Sequence, residues 1–197
     1  PLLEVDDSPA PTTRFSLPTL PREFYLFAGS TAFTTLGLVG FGMMSFHLTA
    51  SGIVPLATVP LVFAWGMFMG AVGAIVSGRY YDRIGGRIFL SVPVAAVAVP
   101  VLAFAGDVWS VLAGVTLWGF AVGVQDSTVK AYIADLIPVT KRGAAYGFFA
   151  AFQGVGTLLG SVLAGALYTN IVLLVAITVP AQIVAFALMR RAISRRM

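Results

Sequence analysis

Six long apolar stretches, separated by short polar gaps, occupy most of this chain: 24–48, 54–77, 88–105, 108–137, 143–167 and 171–189. Each holds 18 to 30 residues. About 20 residues of α-helix cross a hydrocarbon core of about 30 Å. The pattern therefore predicts an all-α membrane protein with six transmembrane helices. Strands are excluded, because an open sheet leaves its backbone unsatisfied in lipid and no ten-residue alternation appears. Only two or three residues separate the third segment from the fourth and the fifth from the sixth, which forces those pairs to run antiparallel.

The start of the chain differs. Residues 1–21 hold five of the eleven prolines together with Glu4, Asp6 and Asp7, a composition that cannot bury a core. The expected organisation is a flexible cytoplasmic loop over 1–22 followed by a six-helix transmembrane domain over 23–197. The lead has no initiator Met and no signal-peptide pattern, and reads as an internal loop of a longer protein. Pro21 and Glu23 mark a helix start, with Pro in the first turn and an acid at the positive end of the dipole.

Charge orients the spans. Gaps 49–53, 106–107 and 168–170 contain no Lys or Arg, whereas the N-terminal tail, gaps two and four and the C-terminus hold eleven of the twelve. The twelfth, Lys130, lies near the Lys141–Arg142 end of segment four. This alternation is the positive-inside pattern and predicts that both termini are cytoplasmic, in the plasma (inner) membrane of a bacterium. Composition agrees: 58% of residues are hydrophobic and 10% charged, against about a quarter charged in a soluble domain. The basic residues sit in loops and not on one folded face, so the lipid bilayer is the expected partner and nucleic acid is not. There is no cysteine, and no metal or cofactor is expected.

Glycines recur four apart at Gly66/Gly70, Gly119/Gly123 and Gly156/Gly160, a spacing that lets helices approach closely. Segments three and six lack such pairs, are the least polar, and are expected to face lipid. Polar groups inside spans are costly unless paired or facing water, which makes them the functional candidates. Those for a substrate cavity are Met43, Met44, Trp65, Trp118, Gln125, Gln153 and Thr157. His47 reads as an interfacial histidine at the outer boundary. Asp126 and Lys130 lie one turn apart on segment four and share a helix face.

Gap two reads Gly78-Arg79-Tyr80-Tyr81-Asp82-Arg83-Ile84-Gly85-Gly86-Arg87, and residues 134–147 read ADLIPVTKRGAAYG. The first resembles the loop signature of the major facilitator superfamily, G-x-x-x-D-R-x-G-[RK]-[RK], which follows the second helix of each six-helix half. The second resembles that family's loop between the fourth and fifth helices, with its Arg142–Gly143 pair. The resemblance spans residues 22–197 and is closest to the C-terminal half, helices seven to twelve. It implies gating residues at Gly78, Asp82, Arg83, Gly85, Arg87, Asp126, Lys130, Arg142 and Gly143, with Asp126 as the acid to which the loop is linked. Gly86 replaces the first basic residue of the closing pair, which leaves that link to Arg83, Arg87 or Lys130.

The resemblance further implies half of a secondary transporter that moves a small-molecule substrate by alternating access, its two halves rocking around a midplane site. Segments one and four would line the cavity, and two and five would pack against an N-terminal six-helix half or a second copy. The sparse charge of the candidate wall suggests a neutral, amphipathic or hydrophobic solute such as a drug-like molecule. A six-helix membrane protein that does not transport, such as a sensor or assembly partner, is the alternative. An enzyme is not expected, since no H-E-x-x-H, G-x-S-x-G or paired intramembrane acids occur.

Overall fold

The computed structural model describes residues 19–194. Of the expected lead, residues 1–18 lie outside the described part, as do 195–197 of the expected membrane domain. Seven α-helices follow: α1 Arg22–Gly37, α2 Phe41–Ala50, α3 Val59–Ile84, α4 Ser91–Ala103, α5 Val108–Leu136, α6 Arg142–Ala166 and α7 Ile171–Ser194. Short 3-10 turns precede α3, α4 and α6, and there is no strand among the described residues.

The helix boundaries follow local chemistry. Pro21 precedes α1, and Pro60 sits in the first turn of α3, where a missing N–H costs nothing. Asp107 caps α5 by accepting the Ser110 N–H at 2.9 Å, and Asn170 caps α7 by accepting that of Leu173 at 3.0 Å. Gly85 ends α3 with φ of 58°, a left-handed conformation that glycine adopts without penalty.

The six expected spans meet a different count. Five helical runs among the described residues are long and apolar enough to cross a membrane: Arg22–Ala50, Leu56–Ala103, Val108–Leu136, Val139–Ala166 and Ile171–Ser194. The second and third predicted segments form one run of 48 residues, because helical turns continue through Gly85–Leu90. That run doubles back within itself. A Cβ on Gly119 would strike the Gly66 carbonyl, and one on Gly123 that of Gly70, so α3 and α5 rise in register and are parallel. Ala103 instead meets Gly114, and Phe89 meets Tyr132, which makes α4 antiparallel to both.

Segment one departs in the other direction, since it is broken. The hydroxyls of Thr31, Thr34 and Thr35 donate to the carbonyls four residues earlier, bonding that bends helices. After Gly37 the chain extends through Leu38 to Gly40. α2 then starts afresh, with the Met43 and Met44 N–H groups donating to the Gly40 carbonyl.

Packing forms two groups of three. α3, α4 and α5 make one, and α1, α6 and α7 the other, with α4 against α7 between them. The second group repeats the seam of the first: Gly156 abuts the Ala32 carbonyl and Gly160 that of Leu36, so α1 and α6 are also parallel. The four-residue glycine spacing thus brings backbone onto backbone. One apolar core, with Met44, Leu48, Val99, Val111, Val115, Trp118 and Leu174, fills the His47 end. The other is aromatic, built on Phe27 with Phe89, Tyr132 and Phe149 at centroid distances of 5.0, 4.5 and 5.7 Å. It fills the opposite end, where the described basic loops gather.

Candidate functional site

α5 and α6 are adjacent but barely packed, and between them lies a cavity of about 420 Å³ lined by Gln125, Asp126, Val129, Lys130, Tyr146, Phe149, Ala150 and Gln153. Both walls follow helical spacing: 125, 126, 129 and 130 on α5, and 146, 149, 150 and 153 on α6. The Tyr146 hydroxyl donates to the Lys130 carbonyl at 3.0 Å and closes one end. Gln125 is buried, whereas Asp126 and Lys130 stand exposed on the open side of the bundle. Lys130 lies one turn further along the same face of α5.

The predicted cavity residues therefore divide. Gln125 and Gln153 line the cavity, together with Asp126 and Lys130. Met44 is fully buried in the core, and Met43 packs against it. Trp118 is buried over Gly66 and lies 5.7 Å from the Phe41 ring, where it fills the space that glycine leaves. The Trp65 indole donates to the Thr116 hydroxyl at 2.8 Å, and the Thr157 hydroxyl turns back to the Gln153 carbonyl at 3.0 Å. None of these five borders the cavity. Phe149 was not among the sequence candidates, although its three-residue offset from Tyr146 places it on the same face.

At the opposite end His47 is buried and uses both ring nitrogens. Nε2 lies 3.2 Å from the Ala105 carbonyl, in the turn before α5, and Nδ1 lies 3.1 Å from the Tyr168 hydroxyl, in the turn before α7. A carbonyl only accepts, so Nε2 carries the proton and Nδ1 accepts from Tyr168. The imidazole is thus a structural tie and not a bare interfacial group.

Residues 24–196 match the Major Facilitator Superfamily. The chain belongs to that superfamily. An uncharacterised protein of Mycobacterium tuberculosis is 39% identical over 174 residues, 86% of this chain and 42% of its own length. An uncharacterised transporter of the superfamily from Methanocaldococcus jannaschii is 28% identical over 186 residues, 85% of this chain and 45% of its own. The facilitated trehalose transporter of Polypedilum vanderplanki is 30% identical over 114 residues, 55% of this chain and 19% of its own. The chain thus spans less than half the length of the curated relatives it matches. As a member of the superfamily it is an integral membrane protein.

The superfamily signature at 78–87 covers the last turns of α3 and the start of the 3-10 turn before α4. Gly85 has a backbone reason, its positive φ, whereas a Cβ on Gly78 or Gly143 would meet nothing within 4 Å. Gly86 has a packing reason for departing from the pattern. A Cβ there would sit 3.0 Å from the Tyr132 ring, so a long basic side chain would displace that ring. Arg142 donates to the carbonyls of Ala134 at 2.7 Å and Ile137 at 3.1 Å, satisfying the last carbonyls of α5. Asp82 and Arg83 are exposed.

The contact between this loop and α5 runs through Tyr81, whose hydroxyl donates to Asp135 at 2.8 Å. Asp135 is nine residues beyond Asp126, about 13 Å along the helix. Ser127 meets the Ala74 carbonyl, so Arg83, nine residues beyond Ala74, is offset from Asp126 by a similar distance. At the level of Asp126 the neighbouring charge is Lys130.

Proposed function

We propose that this chain is one half of a secondary transporter that moves a small, largely uncharged solute by alternating access, with the α5–α6 cavity as its share of the substrate path. The observation that carries the reading is the composition of that cavity. Two amides, a tyrosine hydroxyl, Asp126 and Lys130 line it, interleaved on both walls with Val129, Phe149 and Ala150. Such a mixture binds a neutral solute that offers hydroxyls to the amides and an apolar face to the ring. The trehalose carried by one relative has that chemistry.

In this reading the doubled-back run crosses twice, giving six spans. The stretch Gly85–Ala103 has six residues of 3-10 turn and thirteen of α-helix, about 31 Å of rise and enough for a hydrocarbon core. The parallel seams α3–α5 and α1–α6 support this count, since each needs an odd number of returns between its members. The exposed apolar faces of α3 and α6, with Phe63, Met67, Phe68, Leu158, Leu159 and Val162, suit an N-terminal six-helix half of the same polypeptide. The basic end faces the cytoplasm by the positive-inside rule, in the plasma membrane. Asp126 and Lys130 lie one turn apart beside the cavity, and come within reach of the loop arginines only when the inner end closes.

Uptake by the intact protein in proteoliposomes tests the reading. Saturable uptake of a neutral solute such as a disaccharide, abolished by a bulky substitution at Gln153, is the expected result. Uptake indifferent to Gln125 and Gln153 would remove the cavity from the substrate path. Reporters fused after Thr49, Asp107 and Asn170 should read external, and those after Arg83 and Arg142 internal.

A further inference from the structure

We propose that the basic end of α7 carries a binding groove for an anionic phospholipid, with Arg190 and Arg191 holding the phosphate and Ile183 and Phe186 an acyl chain. Two adjoining cavities mark the groove. One, of about 450 Å³, runs along α7 from Ile183 and Phe186 to Arg190, Arg191 and Ser194. The second, of about 310 Å³, shares Phe186, Arg190 and Ser194 and is walled by Arg87 and Leu90 from the turn before α4.

Polarity along the groove is graded as it is along a phospholipid. From Ile183 to Arg190 is seven residues, about 10 Å of helix, and over that distance the lining passes from branched and aromatic carbon to guanidinium. Ile183 is 63% exposed and offers its surface outward, not to the core. Charge favours one sign of ligand. Among the described residues no carboxylate lines either cavity, whereas the neighbouring cleft at Gly85 and Gly86 contains Asp82 and Asp135.

Arg190 and Arg191 are exposed, and neither guanidinium has a polar partner among the described residues. Guanidinium binds phosphate oxygens two at a time. A pair of arginines at the end of a membrane helix, over an apolar slot, is the arrangement that recognises an acidic headgroup at the bilayer surface.

Native mass spectrometry of the intact protein, with phosphatidylglycerol and phosphatidylcholine of matched acyl chains, tests this assignment. Phosphatidylglycerol should be retained in preference to phosphatidylcholine. Its affinity should fall about fivefold for each arginine replaced in Arg190→Gln and Arg191→Gln, the equivalent of roughly 1 kcal/mol per basic side chain at an anionic lipid surface. Arg79→Gln, an exposed arginine outside the groove, should leave retention unchanged. Should the double Gln variant fail to fold, Arg190→Ala and Arg191→Ala made singly read the same groove. Equal retention of the two lipids, or an equal loss for Arg79→Gln, would overturn the site. Displacement of the lipid by millimolar inorganic phosphate would overturn the lipid assignment in favour of a soluble phosphate ligand. Because the readout is lipid retention, the result stands or falls independently of transport.

Discussion

The Gln182 amide on α7 donates to the Thr34 carbonyl of α1 at 3.1 Å, on the last turn before α1 breaks. The same nitrogen lies 3.5 Å from the Phe33 carbonyl, and a Cβ on Gly37 would collide with it. A buried amide thus adds a second donor to a carbonyl that already accepts the Leu38 N–H at 2.9 Å. Gln182→Leu should lower the stability of the protein by about 0.5–1.5 kcal/mol, the net worth of a typical hydrogen bond. Gln182→Glu should be worse, since it replaces the donor with an acceptor facing carbonyls. Melting of the purified protein in detergent measures both, and a Gln182→Leu protein that melts with the wild type would show the bond to be dispensable.

The glycine seam gives a comparison of opposite signs. Gly123→Ala pushes a methyl into the Gly70 backbone and should destabilise by about 1–3 kcal/mol through overpacking. Gly147→Ala meets nothing within 4 Å and should be neutral, or stabilise by roughly 0.5–1 kcal/mol through helix propensity. Equal melting temperatures for the two variants would mean that α3 and α5 are free to separate.

Asp107 predicts a pH dependence. Hydrogen bonds from Ser110 hold its carboxyl below the usual carboxylate range, from an ordinary value of 3.8. A lowered native value means that the cap's contribution is complete above 3.8 and is lost as the pH falls through that lowered value. Asp107→Ala should therefore be less stable than wild type at neutral pH, and the gap should close under acid. A gap that persists unchanged to low pH would assign the effect to something other than the carboxylate.

Asp126→Asn should lower uptake by about tenfold, the rate equivalent of roughly 1.4 kcal/mol, while leaving the amount of folded protein in the membrane unchanged. Exchanging the pair as Asp126→Lys with Lys130→Asp should recover part of the loss. Uptake and membrane abundance, measured on the same vesicles, separate this from a folding defect.

Much of this architecture was legible in the sequence, because lipid imposes a simple demand on length and polarity. The apolar stretches, the gathering of basic gaps at one end and the glycine contacts all follow from composition and spacing. The break after Gly37 was not, since the residues through it, Leu38, Val39 and Gly40, are as apolar as the helices they separate, and hydropathy cannot register a change of backbone direction. The fusion of two predicted segments into one helical run was hidden for the converse reason: the polar residues of gap two coil without interruption. Gln182 sits on a helix otherwise suited to lipid, and nothing local reveals that α1 offers carbonyls to it. Polarity singled out Gln125 and Gln153, and both line the α5–α6 cavity. Met44 and Trp118 lie in the core, because large apolar side chains fill a core as readily as they line a path.

One imidazole joins the end of α2 to the turns before α5 and α7. Those three backbone segments are therefore held at a common point, and in the proposed transport cycle α5 and α6, gapped along the cavity, would spread by swinging about it. The excursion of a rigid rod grows with distance from its pivot, so the widest opening falls at the far, arginine-rich end. Small rotations near His47 are thereby amplified where Arg142 and Tyr81 fasten the tips.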